Sequence, residues 1–468
     1  MKSPNLTIIN LKNIPRYLET HSGSAVFFLA SLLLSVWAFQ GTIALRNLLI
    51  IMGSLFSIIF LLKNKTLFIS RSAIPIYIFF TIFLWVVVHF LFLVKNYSVQ
   101  LHELTSLWIR VLGGGLIGFT IGIYLQSIKH KASYFFLIFY IYPSYIIFYF
   151  LFESYKLGAL LDPQIFAVEH VKNKIDAAFA SVIGVTICIV YILWNANSSN
   201  SRSESYKLWI SILGISISLL SSVLVESKNG ISISCFILFL GILYWIFLVV
   251  KNQQISIRNL GFFLIFLAII ILALKLHMNT SKRGWTTLLE DVKVSVQIEK
   301  YQNWTDTQKL FFPNREDGGT VAGNTYERFA WATKGIDLIQ KHPLGYGTIN
   351  SSSFRALLIQ SGVNFPGNNL THSGWIDFGL SFGVPGLLII FSSLLSVIIL
   401  SYQKTDFYSL MALWLCIVII LFGLVAEITF KHSFELLMFI ITFSCGCVIQ
   451  VPKNPIRANT NQLIDSVF

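Results

Sequence analysis

The sequence predicts an all-α polytopic membrane protein with about twelve transmembrane helices. Hydrophobic residues make up 55% of the 468 residues and charged residues only 12%, whereas soluble proteins carry about 25% charged residues. Twelve apolar runs approach or exceed the length of about 20 residues that crosses a bilayer. A single long polar segment interrupts these runs.

The apolar runs form two blocks of predicted transmembrane helices. Residues 25–276 hold helices one to nine, residues 376–451 hold helices ten to twelve, and a polar insert at 277–375 separates the blocks. Residues 1–24 and 452–468 are predicted tails. The runs are 25–39, 42–62, 73–94, 106–126, 134–152, 177–194, 208–225, 231–250, 260–276, 376–402, 407–426 and 433–451.

Basic residues predict how these helices cross the membrane. With the N-terminus inside, the cytoplasmic segments hold 15 Lys and Arg residues and the short outer loops hold 6. Because Lys and Arg accumulate in short cytoplasmic loops, we expect both termini to be cytoplasmic and the insert to face outward.

Charge and cysteine placement exclude other function classes. The net charge is +13, but the basic residues fall in short loops and form no compact soluble module, so nucleic-acid binding is not expected. All five cysteines fall inside apolar runs and are predicted to be buried free thiols. Neither cysteine–histidine spacing nor a close aspartate pair in the outer loops indicates a metal site, so a metal-free mechanism is expected.

The second half of the insert predicts an amphipathic helix at 326–341. Its apolar residues recur at helical spacing and are Phe329, Ala332, Ile336 and Ile339. The helix is expected to end at His342, because the following proline disfavours its continuation. Its apolar face is expected to lie on the bilayer or on the helical bundle.

His372 is the candidate general base. It lies just ahead of predicted helix ten, in the segment Thr371-His372-Ser373-Gly374-Trp375. Imidazole accepts a proton near neutral pH, and the macrodipole at a helix N-terminus disfavours the imidazolium. The alternative is an interfacial histidine that caps the helix or bonds to the backbone.

Three cations toward the outer side are candidate ligands of an anionic group. Arg328 lies on the polar arc of the amphipathic helix, Lys228 in a tight outer turn, and Arg110 near the outer end of helix four. Guanidinium binds phosphate oxygens as a fork, and an ionisable residue within a span is a functional candidate. A headgroup contact, simple turn chemistry and snorkelling are the respective alternatives.

These cations and one base suit the binding of a phosphorylated lipid and transfer of the group that it carries, since fixed cations stabilise charge on a leaving group. A further set of polar residues gathers where helices eleven and twelve meet, either lining a substrate cavity or pairing with one another. They are Glu427, Lys431, His432 and Glu435.

Four motifs resemble the O-antigen ligase and polymerase superfamily. They are Tyr326-Glu327-Arg328-Phe329-Ala330-Trp331, where an arginine opens the interfacial helix, Lys341-His342-Pro343-Leu344-Gly345-Tyr346-Gly347, the Thr371–Trp375 segment, and Phe382-Gly383-Val384-Pro385-Gly386-Leu387. The topology, with an outer insert between helices nine and ten, agrees with this resemblance.

The resemblance implies an inverting, GT-C-like glycosyltransferase of the bacterial inner membrane that needs no cofactor. Its donor would be a glycan on undecaprenyl pyrophosphate, and in the ligase subgroup its acceptor is a lipid A–core sugar hydroxyl in the periplasm, a step of lipopolysaccharide biosynthesis. His372 matches the family's proposed base, with Glu327 orienting or assisting it, and Arg328 matches a diphosphate-binding arginine.

The chain departs from the family at a second arginine, where Ser227-Lys228-Asn229-Gly230 stands. Lys228 keeps the charge but loses the bidentate fork, and Arg110 is expected to add a further cation.

Related enzymes use a second lipid-linked glycan, as polymerases do, or a Ser or Thr of a protein such as pilin as acceptor. A transporter is the alternative from another class, but it would carry charges at mid-bilayer, and the arginines here lie toward the outer ends.

Overall fold

The computed structural model describes residues 14–128, 132–171, 173–197, 205–251, 257–280, 286–349, 353–363, 365–366, 370–404, 406–429 and 431–450. These residues are mostly helical and contain no strand, and an isolated bridge joins Asn314 to Thr320. The predicted tail at 452–468 and residues 1–13 of the N-terminal tail lie outside the described residues.

Twelve α-helices precede the insert within the described ranges. They are α1 (Ile14–Val36), α2 (Ile43–Lys63), α3 (Ile74–Phe92), α4 (Tyr97–Glu103), α5 (Ile109–Ile128), α6 (Ala132–Leu137), α7 (Ile141–Leu157), α8 (Pro163–Glu169), α9 (Lys174–Asn197), α10 (Ser205–Leu224), α11 (Lys228–Lys251) and α12 (Ile257–Thr280). The insert and the final helices follow as α13 (Leu288–Ser295), α14 (Thr307–Leu310), α15 (Gly323–Lys341), α16 (Ser353–Gln360), α17 (Gly374–Tyr402), α18 (Phe407–Val425) and α19 (Lys431–Cys447).

Among the described residues, eight helical stretches are long and apolar enough to cross a membrane. They are Ile43–Lys63, Arg71–Phe92, Tyr97–Ile128, Phe135–Leu157, Lys174–Asn195, Lys228–Val250, Gly374–Tyr402 and Phe407–Val425. Shorter apolar helices at His21–Val36, Trp209–Leu224, Leu264–Met278 and His432–Cys447 coincide with the other predicted runs. The predicted all-α polytopic fold is therefore confirmed.

The bundle is tightest where α5 packs along α19. A Cβ placed on Gly122 would lie 2.3 Å from the carbonyl oxygen of Phe443, so the two backbones meet at a distance that only glycine allows. Gln126 Nε2 donates to the carbonyl oxygen of Gly446 at 2.9 Å. Small residues and a polar contact thus join the helices on either side of the insert.

The insert has a core of its own, and α15 connects this core to α17. Tyr326 and Trp331 are buried, and each donates a hydrogen bond to a backbone carbonyl within the insert, at 2.9 and 3.1 Å. These bonds anchor the buried side of α15 within the insert. Phe329 and Ile336 of the predicted apolar face are 40% and 49% exposed, and the contact of that face with the bilayer stays a prediction.

Candidate active site

His372 lies in a left-handed loop conformation immediately before α17. Its φ is +62°, which is uncommon for a residue other than glycine. The imidazole stacks on Trp331, with 5.3 Å between ring centroids and 18° between planes. Its Nδ1 contacts Oε1 of Glu427. An aromatic ring on one face and a carboxylate at one nitrogen therefore hold His372.

The surroundings of His372 favour an uncharged ring. Burial and the positive charge of Arg328 lower the pKa of His372 to about 4, while the nearby Glu427 carboxylate favours the charged form. Because Nδ1 faces this carboxylate, we infer that the neutral ring carries its proton on Nδ1. Its Nε2 then keeps the lone pair that can accept a proton.

The carbonyl oxygen of Val425, at the end of α18, joins the two segments that carry the predicted cations. It accepts hydrogen bonds from Arg328 Nη1 at 3.4 Å and from Nδ2 of Asn229, the neighbour of Lys228 in the chain. Arg328 lies close enough to Lys228 and to His372 for its charge to act on both. The structure thus brings Arg328, Lys228 and His372 together.

The residues that end and follow α18 also fix the loop of His372. The amide nitrogen of Gly374 donates to the carbonyl oxygen of Ala426 at 2.9 Å, and Ser373 Oγ donates to the carbonyl oxygen of Gly423 at 3.4 Å. One short stretch of backbone therefore positions the histidine loop, the Arg328 side chain and the start of α11, where Lys228 lies.

Glu327 and Arg110, the other two predicted site residues, have partners outside this group. Glu327 Oε1 accepts a hydrogen bond from Thr307 Oγ1 at 2.9 Å. Arg110 Nε pairs with Oε1 of the buried Glu435 at 2.6 Å, and this ion pair links α5 to α19.

The polar residues between α18 and α19 contact separate partners. Glu427 contacts His372, His432 contacts Asp176, and Glu435 pairs with Arg110. Of the two alternatives for this set, pairing with one another is therefore not seen among these three side chains, and the side chain of Lys431 lies outside the described residues.

The predicted glycine turn joins the insert to a break in α17. Gly383 has φ +68° inside that helix. The amides of Tyr346 and Gly347 donate to the carbonyl oxygens of Leu380 and Ser381, at 2.9 and 2.6 Å, beside this break. The turn after α15 is thereby fixed to the same helix that follows His372.

Side chains from α4 hold the other side of this turn. Gln100 Nε2 donates to the carbonyl oxygen of Tyr346 at 3.0 Å, and the amide of Ile349 donates to Glu103 Oε2 at 2.8 Å. Gly347 has φ +98°, and a Cβ placed on it would lie 1.4 Å from Gln100 Nε2. The glycine of the motif therefore allows the insert to seat against the bundle.

Sequence reasoning missed two neighbours of His372. Trp331 belongs to one of the motifs, and its position three residues after Arg328 on the same helix is the sequence signal that it lies near that cation. Glu427 belongs to the polar set between helices eleven and twelve, and nothing local in the sequence indicates its contact with His372.

One family model, described as O-Antigen ligase, matches residues 230–391. This range includes Glu327, Arg328 and His372 and begins just after Lys228. No significant match was found among curated proteins. This match confirms, over residues 230–391, the resemblance to the O-antigen ligase and polymerase superfamily that the motifs indicate.

Proposed function

We propose that this protein is an O-antigen ligase that transfers a glycan from undecaprenyl pyrophosphate to a sugar hydroxyl of lipid A–core. The reaction takes place at the periplasmic side of the bacterial inner membrane, with both chain termini in the cytoplasm. The observation that carries the proposal is the convergence of a neutral imidazole and two cations around the end of α18.

His372 acts as the general base in this proposal. Its Nε2 takes the proton of the acceptor hydroxyl while the acceptor oxygen bonds to the anomeric carbon of the donor sugar. The bond from that carbon to the pyrophosphate oxygen breaks, and its electron pair leaves with the undecaprenyl pyrophosphate. Attack from the face opposite the leaving group inverts the anomeric configuration.

Arg328 and Lys228 bind the pyrophosphate and stabilise the charge that it gains as it leaves. Burial lowers the pKa of Arg328, yet guanidinium stays protonated in proteins. A partly desolvated cation interacts more strongly with an anion than a cation in water does. The role of Arg110 as a third pyrophosphate ligand remains a prediction, since Glu435 already occupies its Nε.

Glu427 orients His372 in this mechanism. A carboxylate that accepts the Nδ1 proton fixes the tautomer and stabilises the imidazolium that forms during transfer. The contact between Glu427 and His372 supports this role. Glu327, which was predicted from the motif to orient or assist the base, has a hydrogen bond with Thr307, so its contribution is proposed to be smaller.

The proposal is tested by reconstituting the purified full chain with a lipid-linked glycan and each acceptor in turn. We expect transfer to lipid A–core and little to a second lipid-linked glycan or to pilin. Preferred transfer to one of the other two acceptors would identify a polymerase or a protein oligosaccharyltransferase. Parallel reactions with a chelator should proceed unchanged, because the proposed chemistry uses only the imidazole and the cations.

A further inference from the structure

Asp377, in the first turn of α17, holds the residue that precedes His372. Its Oδ1 accepts two hydrogen bonds from Thr371, one from the backbone nitrogen at 2.9 Å and one from Oγ1 at 2.8 Å. Asp377 is 6% exposed and Thr371 is 1% exposed. One carboxylate oxygen therefore fixes both the backbone and the side chain of Thr371 in a place that water does not reach.

The residue that follows His372 belongs to the same hydrogen-bonded ring. The amide of Asp377 donates to the carbonyl oxygen of Ser373 at 2.9 Å, and the amide of Ser373 donates to Thr371 Oγ1 at 3.3 Å. His372 is thus bracketed on both sides by residues bonded to Asp377. This bracket maintains a left-handed conformation that costs a non-glycine residue about 1–2 kcal/mol.

A buried carboxyl group is a costly way to hold a loop. Within the described residues, Oδ2 of Asp377 is buried and has no hydrogen-bond partner, and leaving such an oxygen unsatisfied opposes folding. Strained backbone and costly buried groups concentrate at functional sites. Here the strained residue is His372, whose ring contacts Glu427 and Trp331.

We propose that Asp377 is a positioning residue of the glycan transfer. Through Thr371 and Ser373 it sets the backbone of His372, and so the direction in which the imidazole meets the acceptor hydroxyl. This inference rests on the proposed function and adds a residue that the motif comparison did not single out. Displacement of a catalytic group by about 1 Å lowers a rate by up to about a hundredfold.

Variants of Asp377 and Thr371 in the full-length protein test this role. Asp377→Asn keeps an oxygen that can accept both bonds from Thr371, whereas Asp377→Leu has similar size and accepts none. We expect Asp377→Leu to lower kcat by about tenfold to a hundredfold, and Asp377→Asn to restore most of it. Thr371→Val, which keeps the backbone bond to Asp377 but loses the bonds of the hydroxyl to Asp377 and Ser373, should fall between the two. Thr81→Val, at an exposed position of α3, is the matched control.

Three readouts distinguish positioning from folding. The KM for lipid-linked donor and the Kd for undecaprenyl pyrophosphate should stay within about twofold of the parent, because Asp377 acts through His372 and not through the cations. The melting temperature of each variant measures the stability of its fold. In a His372→Ala background, Asp377→Leu should cause no further loss of residual transfer, since residues that act as one unit are not additive.

Parental kcat in Asp377→Leu, with His372→Ala inactive, would overturn the positioning role and leave the proposed function intact. Equal losses of kcat and donor affinity, together with a lower melting temperature in both Asp377 variants, would also overturn it and assign Asp377 to folding alone. Normal transfer by His372→Ala would instead remove the base, and with it both proposals.

Discussion

Nδ1 of His372 contacts Oε1 of Glu427, although the whole of α17 and α18 separates the two residues in the chain. The contact joins the histidine loop to the segment that follows α18, and the candidate site lies between these two segments. It also decides which of two glutamates is suited to orient the base. Glu427 meets the ring nitrogen, whereas Glu327 accepts a hydrogen bond from Thr307.

Glu427→Gln is expected to lower kcat by about tenfold or more, because the amide keeps the shape but loses the charge that stabilises the imidazolium. The KM for the donor should change little. Glu327→Gln is the matched comparison and should have the smaller effect. Steady-state transfer assays on both variants measure the difference. A larger loss in Glu327→Gln would reverse the assignment of the two carboxylates.

The low pKa of His372 predicts how transfer depends on pH. Since the folded-state pKa is about 4, the ring stays neutral as pH falls from about 7 to 5, where an ordinary histidine with a pKa of about 6.5 would become mostly charged. The His372-dependent part of kcat/KM should therefore persist to about pH 5. A half-maximal rate near pH 6.5 that tracks His372 would contradict this expectation.

The same lowered pKa affects stability. Between about pH 6.5 and 4 the unfolded chain binds a proton at residue 372 and the folded chain does not. Protonation therefore favours the unfolded chain, and the free energy of unfolding decreases as pH falls. The melting temperature of the parent should decrease across this range. His372→Gln, which does not titrate, should show a smaller decrease.

Lys228 supplies a positive charge but not the bidentate hydrogen bonds of a guanidinium. Its variants therefore separate the contribution of charge from that of bidentate contacts. Lys228→Ala should weaken donor binding by about 1.5–3 kcal/mol, the range of hydrogen bonds to charged groups. Lys228→Arg should retain or improve affinity, because guanidinium adds bidentate contacts. Binding of undecaprenyl pyrophosphate to each purified variant is the measurement. Parental affinity in Lys228→Ala would remove Lys228 from the site.

The sequence was informative where periodicity and composition determine structure. Apolar runs of spanning length located the membrane helices, and Pro343 limited α15 at Lys341, as expected. The pattern did not show what anchors α15 to the rest of the insert. That anchoring depends on where the polar atoms of Tyr326 and Trp331 find carbonyl partners, and those partners come from other segments of the insert.

Long-range pairing also limited what the sequence could predict about the site. A basic residue near a helix end looks the same in the sequence whether its side chain faces a substrate or an ion-pair partner. Arg328 and Arg110 look alike in that respect, but Arg328 reaches Val425 beside His372, while Arg110 Nε pairs with Glu435. The choice between these outcomes depends on helix packing, which the local pattern does not contain.

The ion pair of Arg110 and Glu435 predicts an effect on stability, whereas the Lys228 variants are expected to change donor binding. Glu435→Gln removes the charge of a side chain that is 5% exposed. Because Arg110 is 32% exposed, we expect a loss of about 1–2 kcal/mol, less than the 3–5 kcal/mol of fully buried pairs. Arg110→Gln removes the same ion pair and should have a melting temperature similar to that of Glu435→Gln. Reduced donor binding in Arg110→Gln alone would support the predicted pyrophosphate contact.

The glycine turn predicts a variant that separates crowding from backbone strain. Gly347 and Gly41 both have positive φ, +98° and +78°, but a Cβ on Gly347 would overlap Gln100, whereas nothing lies within 4 Å of a Cβ on Gly41. Gly41→Ala should therefore cost only the strain of about 1–2 kcal/mol. Gly347→Ala must also displace Gln100 from Tyr346, so its melting temperature and its transfer activity should both fall further. Equal melting temperatures for the two variants would show that the turn yields to a methyl group, and that the contact between α4 and the insert does not depend on a close approach at Gly347.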